Sequence, residues 1–100
     1  MAIETLCDFC HRPDPTFWHL TTAFVVTVTN KTIDSEEGGN WAACTNCDAL
    51  LDAGDAAGLT QAYALAETMR GHRVTSRAMQ GVATFHRAVV AHLQPGKIPL

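Results

Sequence analysis

The sequence predicts an α+β domain, and three features of the 100-residue chain lead to that class. Two Cys-x-x-Cys pairs lie in the N-terminal half, an alternating β-branched segment lies between them, and two segments with helical periodicity follow. A composition with 47% apolar and 17% charged residues is typical of one small globular domain. We expect residues 1–54 to form a cysteine-organised module, and residues 55–100 to form a helical region packed on it.

The four cysteines predict a single metal site. Cys7 and Cys10 form one pair, Cys44 and Cys47 form the other, and 33 residues separate the pairs. Two intervening residues let one tight turn present both thiolates to an ion, so two such turns complete a tetrahedron without an open position. One zinc ion is the cofactor that this pattern favours, although iron fits the same sulfur cage. A closed site predicts a structural role and no catalysis.

Other interpretations of the cysteines are weaker. Disulfides are disfavoured in a reducing compartment, and a thioredoxin-like redox pair needs a βαβ context that neither pair has. Residues 7–11 also match the CxxCH signature of c-type haem, but haem attachment would leave the second pair without a purpose.

The segments between and after the cysteines predict the order knuckle, β-hairpin, helix. Prolines in 12–15 mark a turn, and the alternation over 24–29 predicts a strand whose even-numbered side chains share one face. Residues 32–33 begin a return strand, and 34–40 form an acidic exposed loop. Helix-forming residues over 48–53 place the second cysteine pair at a helix N-terminus. This order is that of a treble-clef zinc finger.

Two further α-helices are expected in the C-terminal half. The first begins after Asp55 and runs to about Arg70, and the second begins at Thr75 or Ser76 and runs to about Leu93. Residues 94–100 are expected to be non-helical. The apolar stripes are Leu59, Ala62, Tyr63, Ala66 and Met69 on the first helix, and Met79, Val82, Phe85, His86, Val89, Val90 and Leu93 on the second.

Charge is divided unevenly along the chain. Residues 1–67 carry all ten acidic residues and two basic ones, and residues 68–100 carry five basic residues and no acidic one. The net charges are therefore 2 − 10 = −8 and +5. A nucleic-acid surface would explain this division, but a basic helical region docked on an acidic metal module explains it better. The N-terminus has no basic and apolar pattern of an export signal, and no segment is apolar enough to span a membrane, so we expect the cytoplasm.

The cysteine segments resemble a known group of proteins. Residues 7–16, 41–50 and 54–55 are similar to the small zinc-ribbon-like hypothetical proteins of bacteria and their phages, and the likeness extends faintly to Phe85-His86 and the tail. The resemblance implies a metal-binding N-terminal module joined to helices. It implies no substrate and no activity.

Function is predicted more weakly than structure. Serine elbow, phosphate loop and HExxH motifs are not found in the sequence, so we do not expect an enzyme. The first hypothesis is a zinc-stabilised module that binds a protein partner, as a phage or regulatory adaptor, through Arg73, Arg77, Arg87 and His86. His86 is alternatively a core histidine with one hydrogen bond. A nucleic-acid-binding regulator that uses the five basic C-terminal residues is the second hypothesis, and a homodimer through the last helix is the third.

Overall fold

Five strands and three helices follow the first cysteine knuckle in the structure, a computed structural model that describes residues 5–28, 31–35 and 38–100. The elements are β1 (Pro15–Thr21), β2 (Phe24–Val28), β3 (Lys31–Ser35), β4 (Gly39–Cys44), α1 (Thr45–Asp52), α2 (Ala56–Met69), α3 (Ser76–Ala91) and β5 (Leu93–Pro99). The predicted α+β class is confirmed, and so is the order of knuckle, strands and helix that is typical of a treble clef.

β1 is the central strand of an antiparallel sheet in the order β4-β1-β5. Trp18 pairs with Ala42 on one side and with Ile98 on the other. The knuckle covers the other edge of β4, because the Asp8 amide donates to the Ala42 carbonyl at 2.8 Å and the Ala42 amide donates to Asp8 Oδ2 at 2.6 Å. One backbone and one side-chain hydrogen bond therefore join the knuckle to the edge of the sheet.

The predicted hairpin is present as a separate two-stranded sheet made of β2 and β3. Its predicted alternation is confirmed, since Phe24 is buried and Val25 is 63% exposed. Residues 29–30 of the predicted strand and turn, and residues 36–37 of the predicted acidic loop, lie outside the described residues. The prediction that this hairpin leads directly into α1 is wrong. The strands that flank the cysteine knuckle and lead into α1 are β1 and β4, which pair with each other, and the β2–β3 hairpin is inserted in the chain between those two strands.

Both predicted helix caps are confirmed. The Asp55 carboxylate accepts a hydrogen bond from the Gly58 amide at 2.8 Å, and the Thr75 hydroxyl accepts one from the Ala78 amide at 3.1 Å. Each side chain supplies an acceptor to an amide that has no partner within the helix. The expectation that Met69 is buried is wrong: it is 73% exposed, because it is the last residue of α2.

One hydrophobic core joins the cysteine module to the helices. Phe9 lies within the first knuckle and packs in the same buried cluster as Leu51 of α1, Leu59 of α2 and Val89 of α3, each of which is at most 2% exposed. Burial of such side chains contributes roughly 1.5–3 kcal/mol each. Within the described residues, the helices are too short or too polar to cross a lipid bilayer.

Candidate metal centre

The four predicted cysteine ligands come together in the structure. The Sγ atoms of Cys7, Cys10, Cys44 and Cys47 all lie within 4.8 Å of one another, and the four residues are between 0% and 6% exposed. All four are free thiols, and Cys10 Sγ lies 3.5 Å from Cys44 Sγ, which excludes a disulfide between them. Tetrahedral bonds of about 2.3 Å place sulfurs about 3.8 Å apart. The four residues therefore fit a tetrathiolate metal ion.

Two different local structures present the thiols. The first pair lies in a turn that the His11 amide closes by donating to the Cys7 carbonyl at 2.9 Å, with His11 in a left-handed conformation at φ 62°. The second pair spans the end of β4 and the start of α1, where Cys44 is the N-cap residue. Among the described residues no side chain caps this helix, so its first-turn amides are available to negatively charged sulfur.

The electrostatics of the thiols call for a cation. Hydrogen bonds from Cys10 and Cys47 lower the pKa of Cys7, because they stabilise its thiolate. The same interactions with Cys10 and Cys7 raise the pKa of Cys47, and burial raises it further. Close buried sulfurs thus resist joint ionisation, and a divalent metal ion removes that resistance by neutralising part of the charge.

Arg70, at the C-terminal end of α2, attaches that helix to the knuckle. Its guanidinium donates to the carbonyls of Cys10 at 3.2 Å and His11 at 2.6 Å, and it pairs with Glu67 at 2.8 Å. Glu67 also accepts a hydrogen bond from His72 Nδ1 at 2.6 Å. The sequence predicted Arg70 as part of a nucleic-acid-binding surface, but in the structure its guanidinium is bound to the knuckle and to Glu67.

A second cluster of polar residues joins β1, α1 and β5. His19 Nε2 lies 2.7 Å from Asp48 Oδ1, and Lys97 Nζ donates to Asp48 Oδ1 at 2.9 Å and to Asp52 Oδ2 at 2.8 Å. Burial alone would raise the pKa of Asp48, but the hydrogen bonds from Lys97 and His19 lower it on balance. His19, Asp48 and Asp52 lie close enough together to hold a metal ion, but the Lys97 ammonium already provides the positive charge there.

Sequence reasoning missed the cluster of His19, Asp48, Asp52 and Lys97. The two aspartates stand four residues apart on α1, a spacing that places them on one face of the helix. No spacing in the sequence connects them with His19 or Lys97, because His19 reaches Asp48 through the packing of α1 against β1, and the pairing of β1 with β5 places Lys97 beside His19.

His86 is a core residue and not a surface residue. It is 1% exposed, its ring packs against those of both Phe9 and Phe85, and its Nδ1 lies 2.9 Å from the Thr60 hydroxyl. A protein surface has little access to a side chain that is 1% exposed, so the structure gives no support to His86 as part of a protein-binding surface. The alternative of a core histidine with one hydrogen bond agrees with the structure.

Burial of His86 makes folding stability depend on pH. Desolvation lowers the pKa of His86 from 6.5 to about 4, so the unfolded chain takes up a proton at pH values where the native protein does not. The contribution of neutral His86 to the free energy of unfolding is present above about pH 6.5, and it is lost as the pH falls toward 4. Between pH 7.5 and 5.5 we expect a loss of about 1.4 kcal/mol from this residue. Urea unfolding at both pH values measures the free energy of unfolding of the wild type and of His86→Asn, and the difference between the two proteins gives this loss. An equal pH dependence in both proteins would contradict the prediction.

The remaining predicted partner-binding residues are on the surface. Arg73, Arg77 and Arg87 are all exposed. Arg87 donates to the Thr84 hydroxyl at 3.3 Å, and none of the three arginines forms an ion pair with an acidic side chain of the part of the chain that the structure describes. Their charges are available to a partner.

Comparison with known proteins gives no relative: no family model, curated protein or solved structure matches the chain. The resemblance to small zinc-ribbon-like proteins of bacteria and phages stays a prediction.

Proposed function

We propose that the protein is a non-enzymatic interaction module, stabilised by one zinc ion, that binds an acidic protein partner through the N-terminal end and outer face of α3. The observation that carries the proposal is the set of exposed arginines Arg73, Arg77 and Arg87, which have no acidic partner among the described residues. Exposed guanidinium groups are suited to bind carboxylates in bidentate geometry.

The metal centre supports a scaffold role. All four sulfurs are buried, and four protein ligands leave no coordination position for a substrate. Zinc is proposed over iron because tetrathiolate sites formed by paired Cys-x-x-Cys turns are common structural zinc sites. The ion would hold the knuckle on the first turn of α1. Because Phe9 of the knuckle packs in the same core as Val89 of α3, a fixed knuckle would also fix the position of α3.

The basic face favours a protein partner over nucleic acid. Of the five basic residues in the C-terminal part, Arg70 binds backbone carbonyls of the knuckle and Lys97 binds Asp48 and Asp52. Three basic residues remain without an acidic partner among the described residues, which is few for the run of phosphate contacts on which nucleic-acid binding depends. The contacts of Arg70 and Lys97 instead support the interpretation that the basic C-terminal region docks on the acidic cysteine module.

Self-association through α3 has less support. Val90 and Leu93, which the homodimer hypothesis uses, pack partly buried against the core, so only Met79 and Val82 of that stripe remain for a second copy. An oligomer would have to use another surface for most of its buried area.

The test is affinity capture with the zinc-loaded protein, from a lysate treated or not treated with nuclease. We expect a stoichiometric protein partner whose binding survives nuclease, is lost with Arg77→Glu, and is kept with Arg12→Glu. Arg12→Glu is a matched control, because Arg12 is also exposed and the change in charge is identical but lies on the cysteine module.

Three results would contradict the proposal. Binding that is equally sensitive to both variants would indicate general electrostatic attraction. Loss of binding after nuclease treatment would favour the nucleic-acid alternative. A monomer that captures no stoichiometric protein under either condition would remove the basis for an adaptor.

A further inference from the structure

A cleft of about 340 Å³ lies where the first knuckle meets the β2–β3 hairpin and the helices. Its walls include the rings of Phe9, Tyr63 and Phe85 and the aliphatic side chains of Val28 and Ile33. The volume is at the lower end of the range for small-molecule sites in proteins. The cleft is separate from the exposed arginines and is not needed for the metal centre.

His86 lines this cleft, and its Nε2 nitrogen has no hydrogen-bond partner among the described residues. Thr60 donates its only hydroxyl hydrogen to the Ala56 carbonyl at 3.2 Å, so Thr60 Oγ1 accepts the hydrogen bond from His86 Nδ1 at 2.9 Å. A neutral imidazole protonated on Nδ1 carries an acceptor lone pair on Nε2. The lowered pKa of His86 agrees with the neutral form.

The position of Nε2 follows from the hydrogen-bond pattern. Each fully enclosed side-chain nitrogen or oxygen of the described residues has a hydrogen-bond partner. No donor to Nε2 is found among those residues, so this atom is not fully enclosed, although His86 as a whole is 1% exposed. The opening beside His86 is the cleft that it lines. A buried acceptor in such a place is stabilised by a ligand that brings a donor.

We propose that this cleft binds a small neutral aromatic molecule with one O–H or N–H donor, of the phenol or indole class, and that His86 Nε2 accepts its hydrogen bond. The aromatic body suits the apolar walls, where Phe9 and Phe85 lie with ring centroids 6.3 Å apart. An anionic ligand is disfavoured, because the neutral imidazole offers no counter-charge and the Asp8 carboxyl group also lines the cleft. A hydrogen-bonding acceptor discriminates strongly against analogues that lack the donor.

The experiment titrates phenol and indole into the zinc-loaded full chain, and compares them with toluene and 1-methylindole, which lack the donor. Amide and imidazole ¹⁵N chemical shifts report the position and the strength of binding. We expect saturable shifts at Phe85, His86 and Tyr63, a shift of the His86 Nε2 resonance, and at least tenfold tighter binding of each donor ligand than of its analogue.

Two variants and a control make the result specific. His86→Phe should abolish the preference for the donor. Val82 also lines the cleft, so Val82→Phe should block it while leaving the imidazole in place. Met69→Ala, which changes a 73% exposed side chain on α2, should bind like the wild type. If His86→Phe does not fold, Val82→Phe decides alone. Absence of saturation, equal binding of phenol and toluene, or unchanged binding to Val82→Phe would overturn the proposal.

Discussion

Removal of the metal ion by a chelator is expected to unfold the whole protein cooperatively. Structural zinc contributes an apparent stabilisation of ~10–16 kcal/mol in small zinc-binding peptides, which equals or exceeds the ~5–15 kcal/mol net stability of a domain. The helices should be lost together with the knuckle, because Phe9 and Cys10 belong to the same buried cluster as Leu59 and Val89.

Elemental analysis and circular dichroism measure this expectation together. Purified protein should contain one zinc per chain, and helical signal should disappear as the chelator removes it and return when zinc is added back. Cys47→Ser should behave like the chelated wild type. A protein that keeps its helical signal and its dispersed amide resonances without stoichiometric metal would contradict both the metal site and its structural role. One iron per chain, with sulfur-to-iron charge-transfer absorption, would identify the ion as iron and not zinc.

Phe9→Ala is expected to destabilise the protein by roughly 3–5 kcal/mol. Phe9 is 1% exposed, and its ring contacts those of Phe85 at 6.3 Å and His86 at 5.6 Å between centroids. Truncation removes this packing and leaves a cavity between the knuckle and α3. The metal ligands themselves are unchanged, so zinc stoichiometry should remain at one per chain while the free energy of unfolding falls.

Urea unfolding at a fixed concentration of free zinc measures the effect, since metal binding would otherwise shift the apparent stability. Val25→Ala is the matched control: Val25 is 63% exposed on β2, and its truncation should change stability by less than about 0.5 kcal/mol. Loss of less than about 1 kcal/mol with Phe9→Ala would show that the knuckle and α3 are not coupled through this side chain.

Features with a local physical origin were predictable from the sequence. Two residues between cysteines force a tight turn, so the convergence of Cys7 with Cys10 and of Cys44 with Cys47 needed no tertiary information. The start of α2 was equally predictable, because Asp55 supplies an acceptor to an amide only three residues away. The position of Cys44 and Cys47 at a helix start was also predictable, because helix-forming residues follow them directly in the sequence.

Features that depend on distant pairing were not predictable. β5 contains two prolines and a glycine, which lower strand propensity, and it is stable as an edge strand because Trp18 and Ile98 align across eighty positions of sequence. Without that pairing, Lys97 has no reason to meet Asp48. Arg70 and Lys97 are therefore two residues whose roles the sequence misjudged, since a charge that looks unpaired along the chain can be neutralised by contacts between distant elements.

The depth at which the four sulfurs lie has a consequence for oxidative damage. Peroxide attacks accessible thiolates, and here Cys7 and Cys47 are 0% exposed. These two cysteines become accessible when the knuckle separates from β4, a step that the two hydrogen bonds between Asp8 and Ala42 oppose. Cys44 is 6% exposed and lines a surface cavity, so we expect it to be oxidised first, and any ligand or partner that slows the opening of the knuckle would protect Cys7 and Cys47 most.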